Sequence, residues 1–269
     1  MNDLSGIPTE ELVERAAEVA RRDPSRETDD RWSLVRELHR RRERSVFQAA
    51  AAWCASSEPL LRCLGADTLA QLGFDAQHPF ASDSAPILTS LLRDPDAAVV
   101  SCALIALGHL RVGDTEALCP LASHEVADVR YSVAFCLGTR DDVLSRQTLI
   151  ALSADADTDV RNWATFGLGS LSDVDTPVIR DALVARLSDA DHEVRGEAMR
   201  GLAARGDARA VPAILEELKR DEVSVLAIEA AAQLPHETFL THLEALLEAH
   251  PDDPDIKTAV ERCRAKSAV

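Results

Sequence analysis

Along most of this chain, apolar and small residues recur at i, i+4, i+7 and i+8 after a short acidic turn, and the whole unit begins again thirty-odd residues later. The clearest copy is Asp157-Thr158-Asp159-Val160-Arg161-Asn162-Trp163-Ala164-Thr165-Phe166-Gly167-Leu168-Gly169-Ser170-Leu171. Others run from Glu58 to Gly73, Asp94 to Leu110, Asp128 to Gly138, Glu193 to Leu202 and, in worn form, Asp221 to Pro235. With the Val or its aliphatic stand-in as anchor (Leu61, Val99, Val129, Val160, Val194, Val223, Ile256), the spacings are 38, 30, 31, 34, 29 and 33 residues. A repeat of this length with helical periodicity predicts two helices per unit, stacked so that each buries the apolar face its neighbour cannot bury alone.

The pattern predicts helices over 8–22 and 29–41, then pairs at 45–55 with 59–73, 85–93 with 96–111, 114–123 with 126–139, 141–153 with 158–171, 177–188 with 191–204, 208–219 with 222–234, and 237–249 with 254–265. The long first spacing is explained by an irregular insertion over 74–84. The expectation is an all-α, right-handed α-solenoid of about eight antiparallel helix pairs forming one domain over 1–269. Residues 1–44 would be N-terminal capping helices, 45–235 the repeats, and 236–269 a charged capping repeat with a wet outer face.

Charges follow the same register. An acid precedes the anchor in Asp128, Asp159, Glu193 and Glu222, where it can cap free amides and meet the positive end of the helix dipole. An Arg follows the anchor in Arg62, Arg130, Arg161 and Arg195, placed to reach an acid of a neighbouring repeat; Val100 and Ser224 would break that ladder. The basic run His39-Arg40-Arg41-Arg42-Glu43-Arg44 reads as a solvated helix end interacting with the carbonyl dipole.

Composition narrows the function classes. Aromatics make up only 4% of 269 residues, so the apolar content is mostly aliphatic and Ala, which suits close helix packing. A net charge of -17 repels phosphate backbones and anionic membranes, so neither nucleic acid nor membrane is an expected partner. Six Cys without a CxxC pair argue against a zinc knuckle or a disulfide framework and suit a reducing compartment. No secretory signal is visible, and the chain reads as cytoplasmic and monomeric.

Asp94-Pro95-Asp96 with Val99, Ala103, Ala106-Leu107-Gly108 and Leu110, together with the Asp-Val-Arg of 128–130 and 159–161, resembles HEAT repeats of the bacterial phycobilin-lyase-like type over roughly 45–265. The resemblance implies the solenoid fold. For function it implies only a choice, because that family contains lyases, hydroxylases, glycosylases and plain scaffolds.

In such arrays the second helix of each pair lines the concave surface. Positions +2, +6 and +9 from the anchor point away from the core at about 100° per residue. They include Ile105, Tyr131, Phe135, Asn162, Phe166 and Arg200, with Trp163 on the boundary. In a chain this poor in aromatics these form a candidate surface for a protein partner, and Gly138 and Gly169 beside them would let that partner approach.

Three His-Glu dipeptides (His124-Glu125, His192-Glu193, His236-Glu237) invite comparison with the di-iron sites of HEAT-type deoxyhypusine hydroxylases. In that resemblance the pair directly follows Val-Arg on the concave helix; here those positions hold Tyr131-Ser132, Asn162-Trp163 and Gly196-Glu197. Asp155 to Asp159 mimics the start of a calcium loop but lacks its Gly and its Glu, leaving an inter-helix turn. No metal, cofactor or catalytic residue is therefore expected. The reading is a non-enzymatic interaction scaffold, with a lyase-like or hydroxylase-like HEAT enzyme as the alternative.

Overall fold

The anchors are where the chain buries itself. Leu61, Val99, Val129, Val160, Val194 and Ile256 are all at most 4% exposed. The computed structural model describes residues 4–74 and 77–267, and every regular element among them is helical. Contacts group the chain into two compact units, 1–137 and 138–269.

In the first unit α1 (Thr9–Arg22), α2 (Asp29–Arg41), α3 (Arg44–Cys54), α4 (Pro59–Gln71), α5 (Ala81–Leu91), α6 (Ala97–Leu110) and α7 (Thr115–Leu118) lead to α8 (Ala127–Gly138), at whose end the division falls. The second unit contains α9 (Val143–Leu152), α10 (Thr158–Phe166), α11 (Pro177–Arg186), α12 (His192–Ala204), α13 (Val211–Leu218), α14 (Val225–Gln233), α15 (Leu240–Ala249) and α16 (Pro254–Ser267). Second helices pack against their own first helices and against one another in succession. Thus α3 meets α4 and α4 meets α6, while α10, α12, α14 and α16 follow one another in a single layer.

The turns before α6, α10 and α12 are each built from two acids, the first of which accepts the amide of the second. Asp96, Asp157, Asp191 and Asp253, each three residues ahead of the anchor, accept the free amides of the first turn: Asp157 Oδ1 takes the N–H groups of Asp159 and Val160, and Asp191 Oδ1 those of Glu193 and Val194. The acids immediately before the anchor therefore do not cap. Asp128, Asp159 and Glu193 sit inside the first turn, where they face the helix dipole, and Glu222 lies outside its helix altogether.

The arginine ladder forms. Arg62 donates from Nε and Nη2 to Asp94 at 2.7 and 2.8 Å, and Arg195 reaches Glu217 at 2.6 Å. Each ladder arginine also donates from Nη1 to two carbonyls of its own turn: Ser56 and Ser57, His124 and Glu125, Asp155 and Ala156, Asp189 and Ala190.

Four local departures from the sequence expectation have physical causes. Helix α7 stops at Leu118 and continues as a 3₁₀ turn over Cys119–Ser123, because Pro120 cannot supply the α-helical amide. Helix α14 begins at Val225, not 222. Arg220 holds the position where α6, α10, α12 and α16 carry a capping Asp, so Ser224 becomes the cap and Val223 falls outside the helix.

Helix α5 starts at Ala81, which shortens the expected 74–84 loop. Phe80 stacks on Phe47 at 5.2 Å and Asp83 pairs with Arg44 at 2.9 Å, fixing the first turn. Gly73 turns the chain at φ 71° with Pro79 so close that a Cβ would sit 2.6 Å from its ring; residues 75 and 76 of this segment lie outside the described residues. The basic run at 39–44 is also more than a solvated end. His39 is buried, and Arg41 donates to the carbonyls of Leu4, Ser5 and Ile7, tying the N-terminal segment to α2.

Candidate binding surface

The positions opposite the anchors divide into two kinds. The small ones are buried where successive second helices touch. Gly138 lies against Gly167 and Leu171, and a Cβ on Gly201 would come within 2.6 Å of the Gly169 Cα. These glycines permit close helix approach and do not open a surface to a partner, contrary to the expectation for Gly138 and Gly169. The large ones, Ile105, Tyr131, Phe135, Asn162, Trp163, Phe166 and Arg200, are all half-buried.

In the first unit Phe135 leaves α8 to lie across Gly108 of α6, where a Cβ would meet its ring at 2.9 Å. Its ring meets His109 edge-on, with centroids 5.2 Å apart. Burial, and then the electrostatic influence of His78, hold His109 below the usual histidine range. Tyr131 sits one turn earlier on α8, and Ile105 is on α6.

In the second unit Trp163 and Phe166 meet edge-to-face at 5.5 Å, and the Arg200 guanidinium of α12 lies over the Phe166 ring at 5.8 Å. Asn162 donates to Glu193 at 3.0 Å. After Phe166 the helix widens into a π-helical turn over Gly167–Leu171, which carries Ser170 to the same guanidinium. Ser170 Oγ accepts two N–H groups of Arg200 at 3.1 and 2.8 Å and donates to Glu197 at 2.9 Å. Arg200 also pairs with Glu197 at 3.2 Å and Glu229 at 3.1 Å. Burial pushes the Glu197 carboxyl above its usual range, against the pull of Ser170 and Arg200.

Beside this network lies a pocket of about 340 Å³ lined by Ser170, Asp173, Arg200, Arg205, Glu229 and Gln233. Arg205, part of its lining, donates to the carbonyls of Leu168 and Gly169 within the π turn and to those of Ser172, Val174 and Gly201 beside it.

The lone pairs of Ser170 Oγ are engaged by a guanidinium, which lowers its nucleophilicity. Arg200 is already neutralised by carboxylates, so what remains to offer is aromatic area and oriented polar groups. Sequence reasoning placed Phe166 and Arg200 but missed Ser170 and Glu197, because the π turn rotates Ser170 away from its α-helical position. The His-Glu dipeptides serve helix starts: His124 Nδ1 accepts from Val126 N, and His236 Nδ1 from Thr238 N. Among the described residues no three His, Cys, Asp or Glu side chains are grouped to hold a metal, and no helix is long and apolar enough to cross a membrane.

Comparison with known proteins agrees with this geometry. Residues 145–235 and 180–263 match the family model for HEAT repeats. Over 243 residues the chain is 29% identical to Protein YibA of Escherichia coli K12, covering 87% of this chain and 85% of that one. The X-ray structure of E. coli YibA aligns with a TM-score of 0.74 at 26% identity, covering 98% of this chain and 97% of YibA. A HEAT-like repeat protein of the archaeon Thermococcus onnurineus shares the fold alone, with a TM-score of 0.55 at 14% identity over 88% of this chain and 98% of that one. The acid-capped turns, Val anchors and arginine ladder thus stand in a chain that matches HEAT repeats over 145–263 and is similar along most of its length to YibA.

Proposed function

We propose that this chain is a non-enzymatic protein-binding module. On the face of its second helices each unit offers its own contact set for a protein segment: Ile105, Tyr131 and Phe135 in the first unit, and Asn162, Trp163, Phe166 and Arg200 in the second. The observation that carries this reading is the Phe166–Arg200 contact. A guanidinium fixed by Ser170, Glu197 and Glu229 and laid over a half-exposed ring is an amphipathic anchor already ordered before binding. Pre-ordering reduces the entropy cost of association, and aromatic and Arg side chains of this kind dominate interface energetics. That HEAT repeats generally mediate protein interactions supports the same conclusion. The thiols suit a reducing compartment, and we place the protein in the cytoplasm.

The test is affinity capture of partners from the native lysate with the wild-type chain and with Tyr131→Ala/Phe135→Ala/Phe166→Ala, after confirming that the two melt at similar temperatures. A protein held by the wild type and lost by the triple variant supports the module and its face together. Equal retention by both moves the site elsewhere, and retention by neither removes the binding-module reading.

A further inference from the structure

Away from that face, the turn between α1 and α2 reaches across the first unit to a pair of thiols. Cys63 of α4 and Cys102 of α6 sit on facing turns with their sulfurs in hydrogen-bonding reach of each other, and they are 1% and 5% exposed. Arg26, half-exposed and in the left-handed region at φ 62°, donates from Nη1 to Cys102 Sγ and also contacts Cys63. Its guanidinium covers the pair. The turn that presents it is knotted by Asp23, which accepts from Ser25, Arg26 N and Thr28, while the Arg26 carbonyl accepts from Trp32 Nε1.

The two sulfurs are not equivalent. The hydrogen bond from Cys102 and the charge of Arg26 pull the Cys63 thiol below its ordinary range, whereas Cys102, which donates to Cys63 and is also raised by burial, is held far above it. Asp67 nearby would oppose a thiolate, but Arg31, itself 1% exposed, pairs with it at 2.7 Å. Cys54, also buried in this unit, has no cationic partner to offset its burial and is pushed up to about 12. One thiol is therefore set up as a nucleophile and its neighbour as the proton-bearing partner, which is the asymmetry a dithiol needs to close.

We propose that Cys63 and Cys102 are a peroxide-reactive dithiol that closes to a disulfide between α4 and α6, with Arg26 as the group that holds Cys63 reactive. The Cys63 thiolate attacks one oxygen of a hydroperoxide and the O–O bond breaks. The departing oxygen leaves as water or alcohol after taking a proton, and Cys63 becomes a sulfenic acid. Cys102 sulfur then attacks Cys63 sulfur, the S–O bond breaks, and the Cys102 proton leaves with the hydroxyl as water. Two electrons pass from the sulfurs to the peroxide, so two thiols and one hydroperoxide give one disulfide, one water and one further water or alcohol. Closure joins consecutive repeats covalently and leaves Arg26 facing a neutral disulfide.

The experiment treats the folded full-length chain with stoichiometric hydrogen peroxide, alkylates it under denaturing conditions and maps its thiols by mass spectrometry. The expected product is 2 Da lighter before alkylation, linked Cys63 to Cys102, and restored by dithiothreitol. Arg26→Gln, a change in an exposed turn, slows closure roughly ten-fold at neutral pH by lowering the thiolate fraction. In Cys102→Ser, dimedone traps Cys63 as its sulfenic acid, which it does not do in wild type. Wild-type protein in which both cysteines remain alkylatable, in which Cys63 runs on to sulfinic acid, or in which other cysteines form the link overturns the proposal. So does an unchanged rate in Arg26→Gln.

Discussion

Arg161 donates from Nε and Nη2 to both carboxylate oxygens of Asp189, 28 residues later, at 2.9 and 3.0 Å, while its Nη1 holds the carbonyls of Asp155 and Ala156. One guanidinium thus closes its own turn and pins the next. The Asp189 carboxylate is shielded, and it also accepts the Asp191 amide. Asp189→Asn keeps the shape but loses the charge-assisted pair, and it is expected to lower unfolding free energy in urea by about 2 kcal/mol. A change within about 0.5 kcal/mol would show the rung to be energetically idle.

Acid should unfold the protein through two turn acids. Hydrogen bonds from Arg209 hold Asp207 down at about 2, and those from Ser25 and then Thr28 hold Asp23 at about 2. Both carboxyls are depressed in the folded state, so their stabilisation is complete above the unfolded value of about 4 and is lost as pH falls from there towards about 2. Circular dichroism melts over that window should show Tm falling with pH, with a shallower fall in Asp207→Asn.

Removing Arg205 should strike the π turn specifically. Arg205→Ala leaves the carbonyls of Leu168, Gly169, Ser172 and Val174 without this donor. A loss of about 2 kcal/mol is expected, with hydrogen exchange accelerated over 167–174 and little changed in α4 and α6. Uniform acceleration over the whole chain would contradict a local role.

The contact between Gly169 and Gly201 allows a sharper test. Gly201→Ala places a methyl 2.6 Å from the Gly169 Cα, where backbone and not a mobile side chain must yield. Ordinarily Ala in place of Gly stabilises a helix interior; here overpacking should win and destabilise by about 1–3 kcal/mol in thermal or urea unfolding. Any stabilisation would mean that the helices part more readily than their packing indicates.

What the sequence disclosed and what it hid divide along physical lines. The anchors, the pairing of helices and the rungs from Arg62, Arg161 and Arg195 were legible because a side chain of the same type recurs at the same place in successive units and finds an acid of the next. The expected surface was legible in part. Treating each helix as an isolated cylinder locates Phe166 and Arg200 on the side opposite Val160 and Val194, but it cannot tell that Gly169 there is covered by the next helix. The π turn that moves Ser170, and the switch of capping from an Asp to Ser224, depend on single residues and leave no periodic trace. Arg26 meets Cys102 from 76 positions away, a distance over which no local pattern carries information.

The rungs also bear on how such a chain changes length. Each contact joins an arginine of one repeat to an acid of the next, so adding or losing one whole repeat between rungs presents the same arginine with an equivalent acid, and the register heals. Val100 and Ser224 offer no such guide. Variation in repeat number is therefore cheapest where the arginines stand and hardest at these two gaps.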